Sequence, residues 1–256
     1  MNSPLHLKQK PYIMAHRGSS VALGENTLDA FRQAVADGAD IVETDLRVSA
    51  DGAFVCIHDS SVDRTTDGKG VVESMTLEEL RRLNASGTGS GVSMAQIPTI
   101  TELATVLPED VVVALELKSP RFVEPETCRK LADEVARAGI RRRSIVISFK
   151  RSRLRAFHSV APDIPVGLVG HMGLFPPWNF QLVGPHWVML LINPLYAMLA
   201  HRRGQFVCPL DPRPGRLLKW YVFLRCDAVL SDDPARTRAR LERIRREGWT
   251  GRGKMP

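Results

Sequence analysis

Short apolar segments alternate with amphipathic segments of helical length along almost the whole chain. The pattern begins with a strand predicted at Tyr12–His16 and a helix at Thr27–Asp37. It ends with a strand at Ala228–Ser231 and a helix that Asp233 can cap and Pro234 can start. Repeated units of this kind form parallel sheets, and about eight principal strands close a barrel. The sequence therefore predicts an α/β fold, a TIM (β/α)8 barrel. The other predicted strands are Ile41–Val48, Ala53–His58, Val111–Lys118, Ser144–Phe149, Ile164–Val169, Trp187–Ile192 and Phe206–Leu210.

One stretch interrupts the alternation. Residues 59–98 are rich in serine, threonine and glycine, and only one helix is predicted there, at Thr76–Leu83. Loops longer than about 15 residues in compact domains are usually either functional or disordered. Because this one starts directly after His58, we expect a small insertion subdomain that covers the site. The length of 256 residues suits one barrel, so residues 1–256 are predicted to form a single domain.

Composition and charge exclude some classes of protein. The four cysteines are widely spaced, which argues against a zinc cluster or a disulfide framework. No segment is apolar for long enough to cross a bilayer, and no apolar signal segment precedes the first strand, so we expect a cytoplasmic protein. The net charge of +7 is concentrated in two basic blocks, residues 141–155 and 236–256. These blocks are either solvated helix faces or contacts with an anionic surface, which leaves peripheral membrane contact open.

The basic blocks are not accompanied by a known nucleic-acid-binding motif. The sequence has no zinc-finger, RNA-binding or helix-turn-helix signature, so no nucleic-acid partner is predicted. The oligomeric state is left open.

Polar side chains stand where several predicted strands end. In a barrel of this kind the active site lies at those C-terminal ends. Residues two apart in a strand point to the same face, so three carboxylates and a lysine are expected to converge on one mouth. Such carboxylates repel one another, and a hard divalent cation removes that cost; oxygen ligands without cysteine favour Mg²⁺ or Ca²⁺ over Zn²⁺. The polar residues at the strand ends are His16, Arg17, Glu43, Asp45, His58, Asp59, Glu116 and Lys118.

Six segments carry a likeness to a known family. They are HRG at 16–18, ENTLDAF at 25–31, VETDLRVSADG at 42–52, IHDSSVDRTTDGKG at 57–70, LELK at 115–118 and LSDDP at 230–234. Together they resemble the motifs of the glycerophosphodiester phosphodiesterases. The resemblance implies a TIM barrel with an insertion after His58. It also implies a divalent cation held by Glu43, Asp45 and Glu116, acid–base catalysis by His16 and His58, and Arg17 and Lys118 near the phosphate.

The chain departs from the family pattern in two places. Gly24 replaces the usual proline before ENT, which affects little beyond the stiffness of the loop. The family commonly has a tryptophan in a WTVN-like segment on the seventh strand, whereas the corresponding stretch here is CPLDP at 208–212. Trp178, in LFPPWNF at 174–180, is the candidate to replace that tryptophan at the substrate. The alternatives for Trp178 are contact with lipid and packing on neighbouring helices.

The predicted function is a metal-dependent phosphodiesterase that uses two histidines as acid and base and releases an alcohol. Its predicted substrate is a small-molecule glycerophosphodiester or a lysophospholipid. The missing tryptophan, the apolar loop and the basic blocks favour an acylated substrate. The alternatives are a phospholipase D-type lipid hydrolase and a non-catalytic barrel that binds lipids or anions. Either histidine can be the base, and the nucleophile is either water or a neighbouring substrate hydroxyl.

Overall fold

The computed structural model describes residues 8–21, 23–86 and 94–248. The strands in these ranges are β1 Tyr12–Ala15, β2 Ile41–Val48, β3 Phe54–Cys56, β4 Val112–Leu117, β5 Ser144–Ser148, β6 Val166–His171, β7 Leu182–Pro185, β8 Phe206–Val207 and β9 Ala228–Ser231. They form one sheet in the order β8-β7-β6-β5-β4-β2-β1-β9, and all neighbouring strands in this order pair in parallel. β3 pairs antiparallel with β2, outside this path.

Helices connect the strands of the main path. Among the residues described, no helix combines the length and the hydropathy needed to cross a bilayer. The helices are α1 Leu28–Ala36, α2 Leu77–Arg81, α3 Ile100–Val106, α4 Pro125–Arg137, α5 Arg151–Val160, α6 Trp187–Ile192, α7 Tyr196–His201, α8 Leu218–Phe223 and α9 Pro234–Arg246.

Asp227 brings the two ends of the sheet together. Its amide donates to the Val207 carbonyl at 2.9 Å, and its carboxylate accepts from the Val207 amide at 2.7 Å. The same carboxylate accepts from Lys10 Nζ and from His201 Nε2, and the Asp227 carbonyl accepts from the Tyr12 amide. β8 is thereby joined to the strand pair β9 and β1, so the eight parallel strands form a nearly closed barrel. The prediction of a TIM barrel is confirmed.

Strand alternation divides the core into two layers. Outward-pointing residues such as Ile13 and Val42 pack against the helices, whereas inward-pointing residues such as Met14 and Ile147 fill the barrel. Residues of the stretch 59–98, such as Val62, pack with Val55 and Ile57 in a separate small apolar cluster. The inward-pointing residues thus form a packed layer beneath the C-terminal ends of the strands. Residues 87–93 of the insertion lie outside the described ranges.

The strand predicted at Trp187–Ile192 is wrong, because these residues form α6. The strand of this unit is β7, which comes directly before it. A run of six apolar residues has no periodicity that distinguishes a strand from a buried helix. In β7, Gly184 allows close packing, since a Cβ there would lie 2.9 Å from Val169 Cγ1. The sequence analysis also missed α3, at Ile100–Val106.

Candidate active site

A cavity of about 350 Å³ opens at the C-terminal ends of the barrel strands. Its apolar floor is the inner layer of the barrel, including Met14, Ile147 and Leu182. Its polar wall brings together most of the site residues predicted from the sequence. The predicted residues that line it are His16, Arg17, Glu43, His58, Glu116 and Lys118.

A tight turn after β1 sets the first two of these residues. The His16 amide donates to the Ser231 carbonyl, which holds the end of β1 against β9. Arg17 and Gly18 then take positive φ angles of 60° and 85°. A Cβ at Gly18 would lie 2.7 Å from the carbonyl carbon of Ala30 in α1, so only glycine fits here. The turn aims the Arg17 amide at Glu43 Oε2, 3.0 Å away.

Three buried carboxylates meet beside this turn. Glu43, Asp45 and Glu116 each offer an oxygen, and these oxygens all lie within 4.8 Å of one another. β2 and β4 place them, because Asp45 stands opposite Glu116 in the parallel register of these strands. Glu43 Oε1 and Asp45 Oδ1 are buried without a hydrogen bond. Buried oxygens of this kind are rare unless a further group binds them, so the cluster fits a divalent cation.

Neighbouring cations only partly balance this negative charge. Lys118 Nζ lies 2.7 Å from Glu116 Oε1 and 3.4 Å from Asp45 Oδ1, and Arg17 Nε lies 3.1 Å from Asp45 Oδ2. Burial and the nearby carboxylates raise the pKa of Glu43 well above its usual range, and burial with the charge of Asp45 raises the pKa of Glu116 to about 7. Burial also acts on Asp45, but Lys118 and Arg17 outweigh it and lower the pKa of that carboxyl. The cluster therefore favours an added positive charge, which a proton or a cation can supply.

Asn26 fixes the orientation of Asp45. Its Nδ2 donates to Asp45 Oδ2 at 3.0 Å, while its Oδ1 accepts from Thr44 Oγ1 at 2.8 Å. Asn26 itself has a φ of 57°, a conformation that asparagine tolerates better than most residues. The carboxylate is thereby held with its other oxygen directed to the cluster.

Both histidines have a carboxylate on the same ring nitrogen. His16 Nδ1 lies 2.7 Å from Asp232 Oδ1, and His58 Nδ1 lies 2.6 Å from Asp59 Oδ1. Such a contact sets the tautomer that carries the Nδ1 proton and leaves Nε2 for chemistry. Burial lowers the pKa of His58, although Asp45 and Asp59 act in the opposite direction. His58 therefore has a neutral form available as a base near neutral pH.

The insertion supports one of these pairs. Arg64 Nε donates to Asp59 Oδ2 at 2.5 Å, and the Arg64 guanidinium also donates to both oxygens of Glu25 at 2.7 and 3.0 Å. The hydrogen bond from Arg64, with that from His58, lowers the pKa of Asp59 to about 2. Glu25 in turn accepts from Arg17 Nη1 at 3.1 Å. Arg64 thus connects the His58 side of the site with the Arg17 side.

The structure does not bring Trp178 into the cavity. Its ring is 67% exposed and stacks under the guanidinium of Arg203, whose Cζ is 3.6 Å from the ring centroid. Trp187, at the start of α6, lines the cavity instead. Residues 208–212 also line the cavity, as expected for the end of the seventh barrel strand, and they place no aromatic ring there.

The first basic block does not form one surface. Arg141 pairs with Asp163, and Arg143 donates to the Val111 carbonyl, so both lie at the N-terminal ends of β4 to β6, away from the cavity. Lys150 and Arg151 follow β5 and lie at the cavity end. Of the second block, residues 249–256 lie outside the described ranges.

The sequence analysis assigned no role to several residues that the structure places at the site. The carboxylates of Asp59 and Asp232 contact Nδ1 of the two histidines, and both residues lie in motifs that carried the family resemblance. The ENT segment likewise contains Glu25 and Asn26. No sequence signal pointed to Trp187, because the run that contains it was assigned to a strand.

Similarity to known proteins identifies the family of this chain. A model of the glycerophosphoryl diester phosphodiesterase family matches residues 16–181. The chain belongs to this family. A glycerophosphodiester phosphodiesterase of Caldanaerobacter subterraneus is 38% identical over 232 residues, which cover 88% of this chain and 95% of that protein. This relationship confirms the family resemblance and the prediction of a phosphoric diester hydrolase.

Two solved structures share the fold. A crystal structure of a glycerophosphodiester phosphodiesterase from Agrobacterium tumefaciens is 25% identical, with a TM-score of 0.80 over 89% of this chain and 99% of that one. An Oleispira antarctica phosphodiesterase in complex with its product sn-glycerol-3-phosphate is 27% identical. Its TM-score is also 0.80, over 91% of this chain and 97% of that one.

Proposed function

We propose that this chain is a metal-dependent phosphodiesterase that hydrolyses glycerophosphodiesters and lysophospholipids with His16 and His58 as its acid–base pair. One observation carries the proposal. A single cavity holds two histidines, each with a carboxylate on Nδ1, together with the buried cluster of Glu43 and Glu116. A non-catalytic barrel would have no need of this complete set.

Charge is the first obstacle to the reaction. A phosphodiester anion repels a nucleophile, and its alkoxide is a poor leaving group. Arg17 and Lys118 line the cavity and can attract the phosphate, although both also pair with the carboxylates. They orient the diester and stabilise the charge that develops on its oxygens.

The carboxylate cluster would hold the divalent cation. Glu43, Asp45 and Glu116 provide oxygen donors without sulfur, which suits Mg²⁺ or Ca²⁺. When bound, such an ion supplies positive charge next to the phosphate oxygens.

The two histidines would move the protons. One Nε2 accepts a proton as the nucleophile's oxygen forms a bond to phosphorus, and the other Nε2 donates a proton as the bond from phosphorus to the alcohol oxygen breaks. Asp59 and Asp232 stabilise whichever imidazole is positively charged. The nucleophile is water or a hydroxyl of the substrate. If it is the hydroxyl, a cyclic phosphate forms first and water opens it in a second step.

The cavity also suits a lysolipid, the substrate that a phospholipase D-type reaction would use. Beside the polar wall it presents Phe149, Val169, Leu210 and Trp187. Burial of an acyl chain against such residues contributes about 0.8 kcal/mol per CH₂.

The test compares glycerophosphocholine with lysophosphatidylcholine, with and without exhaustive chelation. We expect turnover that chelation abolishes and that Mg²⁺ or Ca²⁺ restores. His16→Ala and His58→Ala should each lower the rate by about 10²- to 10⁴-fold. Calorimetric titration of the metal should show binding by the wild type and weaker binding by Glu43→Gln, whereas the exposed-site control Glu78→Gln should bind as the wild type does. Full activity after chelation, or unchanged rates in both histidine variants, would refute the mechanism.

A further inference from the structure

Large apolar side chains are exposed together on one side of the cavity mouth. They come from the loop after β6, from the helices α6 and α7 and from the connection between these helices, and we call this surface the apolar face. It contains Leu174, Phe175, Trp178, Ile192, Leu195 and Met198, which are exposed in the structure.

Hydrogen bonds join the loop to the helices. Asn193 Nδ2 donates to the Leu174 carbonyl at 2.8 Å, and Gln205 Nε2 donates to the Pro177 carbonyl at 2.7 Å. Arg203 Nη1 donates to the Pro176 carbonyl. The apolar side chains are thus presented by an ordered framework. Exposed apolar patches on such a framework commonly mark an interaction site.

The apolar face is continuous with the mouth of the cavity. The loop and α6 both leave the C-terminal ends of their strands, the end at which the cavity opens. Trp187 belongs to α6 and lines the cavity, and it is itself partly exposed. A surface held against the apolar face would therefore lie beside the entrance to the site.

The segment that forms the face carries basic residues and no acidic ones. The sequence from 164 to 210 contains no aspartate or glutamate. Arg203 stacks on Trp178, and Arg202, which precedes it in sequence, is exposed. Arg151 Cζ lies 5.3 Å from the centroid of the Phe180 ring at the end of the loop. Apolar side chains among arginines, with a tryptophan at their boundary, complement the interface of an anionic bilayer.

We propose that the apolar face docks the protein on a bilayer that contains anionic lipids, with the cavity mouth turned to the lipid surface. A second copy of the chain is the competing occupant. The cluster of arginines disfavours a symmetric contact, because it would bring like charges together. Docking rests on this surface alone and requires no turnover, so it can be tested separately from the proposed chemistry.

The experiment is co-sedimentation of the full chain with vesicles of phosphatidylcholine alone or mixed with phosphatidylglycerol. We expect binding to the mixed vesicles that weakens with salt. The double variant Phe175→Glu, Leu195→Glu should bind at least about tenfold more weakly. Arg202→Glu should lose about fivefold or more. Met94→Glu is the matched control and should bind as the wild type does, since Met94 is equally exposed but belongs to the insertion on the opposite side of the strand order.

Hydrolysis of glycerophosphocholine without vesicles should be unchanged in the double variant, which shows that the site is intact. The proposal is overturned if the wild type ignores the mixed vesicles, or if the double variant binds them as tightly as the wild type. It is also overturned if Met94→Glu loses as much binding as the double variant. A wild-type dimer that the double variant converts to a monomer would assign the face to a second copy instead.

Discussion

Replacing Asp232 by asparagine tests how the fold activates His16. Asp232 lies on the loop after β9 and accepts from His16 Nδ1 at 2.7 Å. Burial would raise the pKa of Asp232, but the hydrogen bonds and charges of His16 and, to a smaller extent, Arg213 outweigh it and lower the pKa, so the carboxylate is ionised at neutral pH. Asparagine keeps the size of the side chain and removes the charge. The substitution therefore removes the charge of the contact, while the amide oxygen of asparagine can still accept from His16 Nδ1 and keep the tautomer.

The expected loss follows from the geometry. The two side chains are largely buried, with 20% of His16 and 14% of Asp232 exposed, so solvent screens the contact only weakly. Hydrogen bonds to charged groups of this kind contribute about 1.5–3 kcal/mol. If that stabilisation is present only when His16 carries a positive charge in the transition state, kcat should fall by about 10- to 150-fold. KM should change little.

Arg213→Ala provides the control for this loss. Arg213 Nε pairs with the other oxygen of Asp232 at 3.2 Å, but its side chain is 86% exposed. An exposed pair is weak, so kcat should fall by less than about fivefold. Steady-state kinetics on glycerophosphocholine, with thermal unfolding to establish that each variant folds, measure both. The reasoning is refuted if Asp232→Asn leaves kcat unchanged, if it raises KM alone, or if Arg213→Ala is equally harmful.

Three further substitutions test the scaffold and the cavity. Asp227→Asn should lower the free energy of unfolding by about 1.5–3 kcal/mol, measured with urea at neutral pH, because it weakens barrel closure. Burial acts to raise the pKa of Asp227, but hydrogen bonds from His201 and Lys10 outweigh it and lower the pKa. This stabilisation should therefore be present above about pH 4 and be lost as the pH falls through the lowered pKa of Asp227 in the folded state. The unfolding free energies of wild type and variant should then converge in acid. Gly18→Ala should lower the unfolding free energy by about 1–3 kcal/mol in the same assay, because its φ is positive and a Cβ would contact the backbone of α1. Trp187→Ala should lower kcat/KM about tenfold more for lysophosphatidylcholine than for glycerophosphocholine; an equal loss on both would contradict an acyl-chain contact.

The polar residues that line the cavity could be predicted because strand geometry is regular. Side chains two apart share a face, and the ends of parallel strands meet at one edge. Glu43, Asp45 and Glu116 follow from these two rules alone, and the register of β2 with β4 places them together.

Other features depend on contacts that no local pattern contains. Asp232 reaches His16 across 216 positions of sequence, and Arg64 reaches Glu25 across 39. Both pairs depend on tertiary structure that brings distant parts of the chain together. The prediction of a strand at Trp187–Ile192 was wrong for a different reason, because six apolar residues are equally compatible with a strand and with a short helix.

The run at Trp187–Ile192 also provides a tryptophan at the cavity, where residues 208–212 provide none. Residues 208–212 leave the seventh barrel strand without an aromatic ring, so the wall there consists of Cys208, Leu210 and their neighbours. The tryptophan that lines the cavity is Trp187, which belongs to α6 and not to a barrel strand. The same helix carries Ile192 of the apolar face. Because one helix contributes to both the cavity and the face, a substrate that leaves a bilayer through the face would meet Trp187 before it meets the carboxylates. An aromatic ring on a strand could line the cavity but would not extend to the outer surface, whereas α6 reaches both, so the position of Trp187 on α6 joins the cavity wall to the proposed docking surface.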